Sequence, residues 1–309
     1  MEFLTIEFII VMFAALRGAT PILAVVLGET LTQRSGVINL GVEGQMLFGA
    51  MIGFAVTYNT GSPWLGVLSA CIAGLVLSSL HALLVLYFKA NQIASGVAVL
   101  ILGSGLSAFY GIPYVGKKIN SLGNLSDTWV AQLPIIGNSL AAITPTTLLI
   151  LLLIPIASIF LFKTQVGLIW RSVGESSSTT RNLGVNPIKY QLVAILVGGA
   201  LSGLAGAALS IDYTSSWVEG MTSGRGLVAV GLVIIARWNP WLSLPAAMLF
   251  GISETLNLKL QSWGIDISPY LLGTLPYLLP LLVLVLSYRK LKSSGGGMPQ
   301  GLSAVFKNS

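Results

Sequence analysis

Acidic and basic residues are missing from four long runs of this chain. No Asp, Glu, Lys or Arg falls between Glu43 and Lys89, between Asp127 and Lys163, between Lys189 and Asp212, or between Asp266 and Arg289. About 20 apolar residues in helical form cross the hydrocarbon core of a bilayer. Each run is long enough for one crossing and the first for two. Charged residues make up 8% of the 309 positions and hydrophobic residues 54%, whereas an ordinary soluble domain is about 25% charged. The chain reads as an all-α, polytopic transmembrane helical bundle.

Polar breaks divide it into about nine spans, within a range of roughly eight to ten. They cover residues 6–28, 37–58, 64–88, 93–112, 145–162, 190–211, 221–236, 241–258 and 269–288. Arg17, Gly18 and Pro21 mark the first as kinked or broken, and a loop is expected over 29–35. The second opens with a glycine-rich, polar stretch, and Gly224, Arg225 and Gly226 interrupt the seventh. Interrupted helices in corresponding positions point to a transport pathway. Residues 113–144 form the longest loop. Residues 1–292 read as one transmembrane domain, and 293–309, which starts Gly/Ser-rich, reads as a flexible cytoplasmic tail. The first ten residues hold Glu2 and Glu7 and no basic residue, so a retained first helix is expected rather than a cleavable signal peptide.

A formal charge of +6 suggests nucleic acid only if the cations share one face, and here they sit in short loops. They report orientation instead. With residues 163–189 inside, Arg34, Lys89, Lys163, Arg171, Arg181, Lys189, Arg237, Arg289, Lys290, Lys292 and Lys307 are inside, and Lys117, Lys118 and Lys259 outside. The N-terminus is then outside and the C-terminus inside.

Several residues at membrane depth carry two readings. Glu43 is costly there unless paired or wetted. It is either a substrate contact, a gate partner of an arginine, or a structural cap of a broken helix beside Gly41 and Gly44. Asn39 and Gln45 share that ambiguity. Arg17 and Arg225 are also costly if they lie deep; Arg225 either belongs to the pathway or snorkels to the outer interface. His81 reads as a packing or hydrogen-bonding residue. With one His and one Cys (Cys71), neither a metal cluster nor an intrachain disulfide is expected. Trp64, Trp129, Trp217, Trp238, Trp241 and Trp263 fall near loop boundaries, as an aromatic belt does. Phe48, Phe109 and Tyr110 are the alternatives for contact with an aromatic cargo. The small residues Gly198, Gly199, Ser202, Gly203 and Gly206 allow close helix approach, within the chain or against a second membrane subunit.

Residues 163–189 form a polar, basic island between two spans, with Lys163, Arg171, Arg181 and Lys189 against Glu175. Its Gly167-Leu168, Arg171, Gly174-Glu175, Arg181 and Gly184-Val185, followed by the small-residue run 201–207, resemble the cytoplasmic loop of bacterial ABC-importer permeases. The resemblance is to the branched-chain amino acid, ribose and nucleoside group, and it departs from the usual pattern at 176–180. Residues 34–46, with Asn39, Gly41, Glu43 and Gly44, resemble the nucleoside branch, whose receptors are basic-membrane-protein-type lipoproteins. The resemblance spans roughly residues 21–288 and is closest to the shorter of two permeases.

It implies a permease subunit rather than an enzyme, in a bacterial cell membrane, importing a nucleoside. The implied partners are an ABC ATPase subunit carrying ATP and Mg, a second, non-identical permease and a substrate-binding lipoprotein. No phosphate-binding Gly-x-x-x-x-Gly-Lys-Ser/Thr loop occurs here. The implied coupling helix lies within 167–184, where Arg171, Glu175 and Arg181, with Gly167, Gly174 and Gly184, would meet the ATPase. Asn39, Glu43, Gln45, Phe48, Phe109 and Arg225 are the pathway candidates. The alternatives are a branched-chain amino acid or ribose permease, a stand-alone secondary transporter or channel, and a structural membrane scaffold.

Overall fold

A computed structural model describes residues 2–123, 143–262, 268–293 and 297–307. Asp127, Trp129, Trp263 and Asp266, and most of the expected long loop, lie outside the described residues. Among the described residues there are helices and no strands, only an isolated bridge between Lys118 and Ser216. Five helical segments are long and apolar enough to cross a membrane: Ile9–Arg34, Pro63–Tyr87, Gln92–Tyr114, Pro145–Lys163 and Pro187–Tyr213.

The central strut is α1 (Glu2–Arg34). Ala19, Ile22, Leu23, Ala24, Val25 and Val26 are all buried, so over this stretch the helix is covered around its whole circumference, as a helix apolar on all sides must be. It is continuous, and two expectations fail here. Arg17, Gly18 and Pro21 do not break it, and residues 29–34 are helix rather than loop. Pro21 removes one intrahelical donor, but packing on every side holds the helix together. In its last turns Gln33 donates to Glu29 (3.0 Å) and accepts from the Trp238 indole (2.7 Å).

Around α1 stand α2 (Val42–Thr60), α3 (Pro63–Ala82), α4 (Gln92–Gly111), α5 (Pro145–Lys163), α6 (Gln165–Glu175) and α7 (Ser177–Asn182). They are followed by α8 (Pro187–Ala207), α9 (Arg225–Ile235), α10 (Pro240–Ser262), α11 (Pro269–Leu272), α12 (Leu275–Ser293) and α13 (Gln300–Lys307). Helices α2, α3 and α8 pack on one another, and α10 lies along α1. The small residues of α8 serve this packing. A Cβ on Gly49 of α2 would come within 2.7 Å of the Gly203 Cα, and one on Gly203 would overlap the Ala70 carbonyl of α3. Both α3 and α8 end in π-helical turns, Leu83–Tyr87 and Ala208–Tyr213, a feature frequent at functional sites.

Two of the tryptophans expected in an interfacial belt are core residues instead. Trp217 is buried with Met51 and Phe54, its ring filling the space over Gly111. Trp238 is buried and bonded to Gln33, while Trp64 and Trp241 are exposed. His81 is buried; its Nε2 donates to the Ile38 carbonyl (3.2 Å) and its Nδ1 accepts from Ser95 Oγ (3.0 Å). The tail also departs from expectation. Residues 300–307 form α13, whose Leu302 is buried in the main core and whose Gln300 N–H donates to Glu175 Oε2 at 3.1 Å. One buried leucine and a capping carboxylate suffice to seat a segment whose composition reads as mobile.

Candidate functional site

Two non-helical entries meet inside the bundle. Residues 36–41 lead into α2, and residues 214–224 lead into α9, which starts late because Gly224 takes a left-handed conformation (φ 82°). Glu43, in the first turn of α2 and only 5% exposed, spans the gap. Its Oε1 accepts from the Thr222 hydroxyl (2.5 Å) and the Gly224 N–H (2.8 Å), and its Oε2 from the Gly226 N–H (2.6 Å). The carboxylate therefore caps the positive end of α9, an interaction of roughly 0.3–2 kcal/mol. Desolvating such a carboxylate costs several kcal/mol; three short donors are what offset it.

Arg225 points elsewhere. Its Nη2 lies 2.5 Å from Glu254 Oε1 of α10, so the arginine partner expected for Glu43 belongs to Glu254. The Tyr277 hydroxyl of α12 donates to the Ser223 carbonyl at 2.5 Å. Residues 222–226 are thus a hub touching α2, α10 and α12. The π-helical turn ending α8 sets Asp212 and Tyr213 beside it. Asp212 accepts from Thr146 and from the Leu122 N–H, and the Arg225 and Arg17 guanidinium carbons lie 5.8 and 5.9 Å from the Tyr213 ring centroid.

The remaining pathway candidates divide. Asn39 and Gln45 are buried and bonded to each other (3.3 Å), and Asn39 Oδ1 accepts from the Gly41 N–H (2.9 Å). They shape the entry to α2. Phe48 packs in the Met51, Phe54 and Trp217 cluster. Phe109, 68% exposed, lies edge-on to Tyr110 on the flank of α4. Glu43 and Arg225 meet at the start of α9. Thr222, Tyr213, Tyr277 and Glu254 were missed as partners. The signal for Glu254 was available: a lone acid in an apolar helix needs a cation.

Within residues 163–189, Thr164 caps α6 by accepting from the Gly167 N–H (3.0 Å). The buried Trp170 donates its indole N–H to the Leu31 carbonyl of α1 (2.8 Å). Gly167 and Gly174 are contact points: a Cβ would overlap the Phe160 carbonyl at the first and the Arg34 carbonyl at the second. Arg171 lies over the Phe162 ring (5.2 Å), and Glu175 holds α13. Helix α6 is therefore fastened to the C-terminal end of α1. The short α7 projects from it, capped by Ser176 and pinned by the Thr180 hydroxyl on the Ser172 carbonyl (3.1 Å). Beyond it Leu183 is 78% exposed, and Arg181, Gly184 and Ile188 border an open cleft of about 470 Å³. Of the six coupling candidates, Arg181 and Gly184 face outward, whereas the other four are engaged within the chain.

The profile of the family described as Branched-chain amino acid transport system / permease component matches residues 11–287. The chain is 39% identical over 260 residues to a Haloferax volcanii protein provisionally named a glucose ABC transporter permease, TsgC13, covering 83% of this chain and 79% of that one. It is 31% identical over 301 residues to the guanosine ABC transporter permease protein NupQ of Bacillus subtilis, covering 89% and 91%. It is 28% identical over 281 residues to the nucleoside ABC transporter permease protein NupC of Lactococcus lactis, covering 87% and 89%. No solved structure matches it.

Proposed function

Because the chain belongs to the permease-component family of branched-chain amino acid transport systems, we propose that it is the membrane subunit of an ATP-driven importer for nucleosides. It works as part of a complex in the cell membrane. A second, non-identical permease completes the pathway, a lipoprotein delivers the cargo outside, and cytoplasmic ATPase subunits hold ATP and Mg. Residues 1–292 form the permease domain. Nine spans, with the N-terminus outside and the C-terminus inside, fit the five long apolar helices together with α2, α9, α10 and α12.

The observation that carries this reading is that one continuous helix joins the two sites. The inner end of α1 is gripped by α6 through Trp170 and Gly174. Its middle lies against α10, where a Cβ on Gly18 would come within 3.2 Å of Glu254 Oε2. Movement of α6 by the ATPase would pass along α1 to the Arg225–Glu254 pair and the capped start of α9. Arg181 and Leu183 are the side chains free to meet the ATPase. Close-packed helices have discrete arrangements rather than continuous ones, which suits alternating access.

The nucleoside assignment is supported by the guanosine and nucleoside permeases among the relatives. A hexose is the second reading, favoured by the 39% identical relative named for glucose. Proteoliposomes holding the full complex, loaded with ATP, would be assayed for uptake of labelled guanosine against excess unlabelled guanosine, glucose or isoleucine. Competition by guanosine alone supports the nucleoside reading. Uptake of labelled glucose or isoleucine in parallel vesicles, with no uptake of labelled guanosine, replaces it with a hexose or a branched-chain amino acid.

A further inference from the structure

Arg17, Tyr213, Arg225 and Glu254 come from four elements and gather at one place. Arg225 and Glu254 form an ion pair, the Tyr213 ring lies close to both guanidinium groups, and Arg17 Nη2 donates to the Asp212 carbonyl at 3.2 Å. The cluster is not sealed. The Arg225 and Glu254 side chains are 14% and 18% exposed, and Arg17 is exposed. From Glu254 a polar stripe runs along α10 at helical spacing, through Asn257 and Gln261, whose Nε2 donates to Asn257 Oδ1 at 2.7 Å.

Charged groups at hydrocarbon depth are tolerated against protein or a water-filled cavity and are costly against lipid. The flank formed by α3 and α4 has the opposite character, with exposed Leu68, Ile72 and Ile101. A partly exposed ion pair of this kind is suited to water or protein rather than to lipid.

We propose that Arg17, Arg225 and Glu254, held in place by Tyr213, are the cargo-contacting site for the hydroxyl groups of a sugar ring, reached along Asn257 and Gln261. The proposal rests on the importer reading above, since a nucleoside and a hexose both bring a hydroxylated ring. Guanidinium groups supply several N–H donors in fixed planar geometry, and a carboxylate supplies acceptors in a matching plane. Together they satisfy adjacent hydroxyls, each of which donates and accepts. Arg17 spends one donor on a main-chain carbonyl, and cation–π attraction to Tyr213 keeps the two like charges in place.

The test uses the complete reconstituted complex and competition against labelled guanosine by guanosine, 2′,3′-dideoxyguanosine, free guanine and glucose. The wild-type complex should prefer guanosine to the dideoxy compound by tenfold or more. Arg17→Gln and Glu254→Gln should raise the KM for guanosine about tenfold, leave kcat within about twofold and shrink the dideoxy discrimination. Asn257→Leu, outside the ion pair, should raise KM with normal assembly, and it keeps the test decisive if Glu254→Gln does not fold. Equal competition by guanosine and dideoxyguanosine, or by free guanine, overturns the proposal: the base would then be what is read. If labelled glucose is taken up in parallel vesicles and labelled guanosine is not, the sugar site stands and the nucleoside cargo falls. If the wild-type complex takes up neither guanosine nor glucose, the importer reading fails, and the sugar site with it.

Discussion

Glu43 Oε2 accepts the main-chain N–H of Gly226 at 2.6 Å, joining two chain positions 183 residues apart. With Oε1 on Thr222 and Gly224, this one carboxylate fixes where α9 starts relative to α2. Replacing it with Gln keeps the size but turns an amide NH2 toward main-chain N–H groups. Glu43→Gln should destabilise the protein by about 1–3 kcal/mol, read as a lower Tm of the purified complex. An unchanged Tm would mean that the cap is dispensable.

The Arg225–Glu254 pair is partly exposed, so its net worth is below that of a sealed pair. Removing one partner still strands the other charge in an apolar setting. Arg225→Ala should therefore lower thermal stability more than Arg225→Ala combined with Glu254→Ala. Additive losses, measured in the same thermal-shift series, would show that the two side chains do not interact.

The glycines of the island and its outward residues should separate by phenotype. A Cβ at Gly174 overlaps the Arg34 carbonyl, so Gly174→Ala should loosen α6 from α1 and lower stability by about 1–3 kcal/mol, as overpacking does. Leu183→Asp touches no packed surface and should leave stability unchanged while weakening co-purification of the ATPase tenfold or more. The reverse pattern would mean that α6, not α7 with Leu183, is the docking element.

Helix α13 rests on the buried Leu302 and on Glu175. Leu302→Ala should cost about 1.5–3 kcal/mol and raise amide hydrogen exchange over 300–307 and around Glu175. Exchange that is already fast in the wild type would restore the flexible tail that the composition suggested.

Much of this was legible in the sequence. Long charge-free runs gave the helical membrane class, and residues 163–189 stood out as an island because charge is scarce elsewhere. The expense of Glu43 was visible, but its partners were not. Main-chain N–H groups belong to every residue and leave no mark in a sequence. For Arg225 two acids were available, and only tertiary packing chooses Glu254. Pro21 reads locally as a break, and burial of α1 on all sides overrides it. Trp217 and Trp238 sit at span boundaries along the chain yet pack inward, because span boundaries do not say which face is covered. The glycines at 167 and 174 looked like coupling residues, and their close contacts with neighbouring carbonyls explain them as packing sites.

The most direct single measurement is ATP-dependent guanosine uptake by the reconstituted complex, wild type against Leu183→Asp, with ATP hydrolysis followed in the same vesicles. The account predicts uptake and receptor-stimulated hydrolysis in the wild type, and loss of both in the variant with the permeases still assembled. Uptake that continues without ATP, driven by an ion gradient and unaffected by Leu183→Asp, would contradict it.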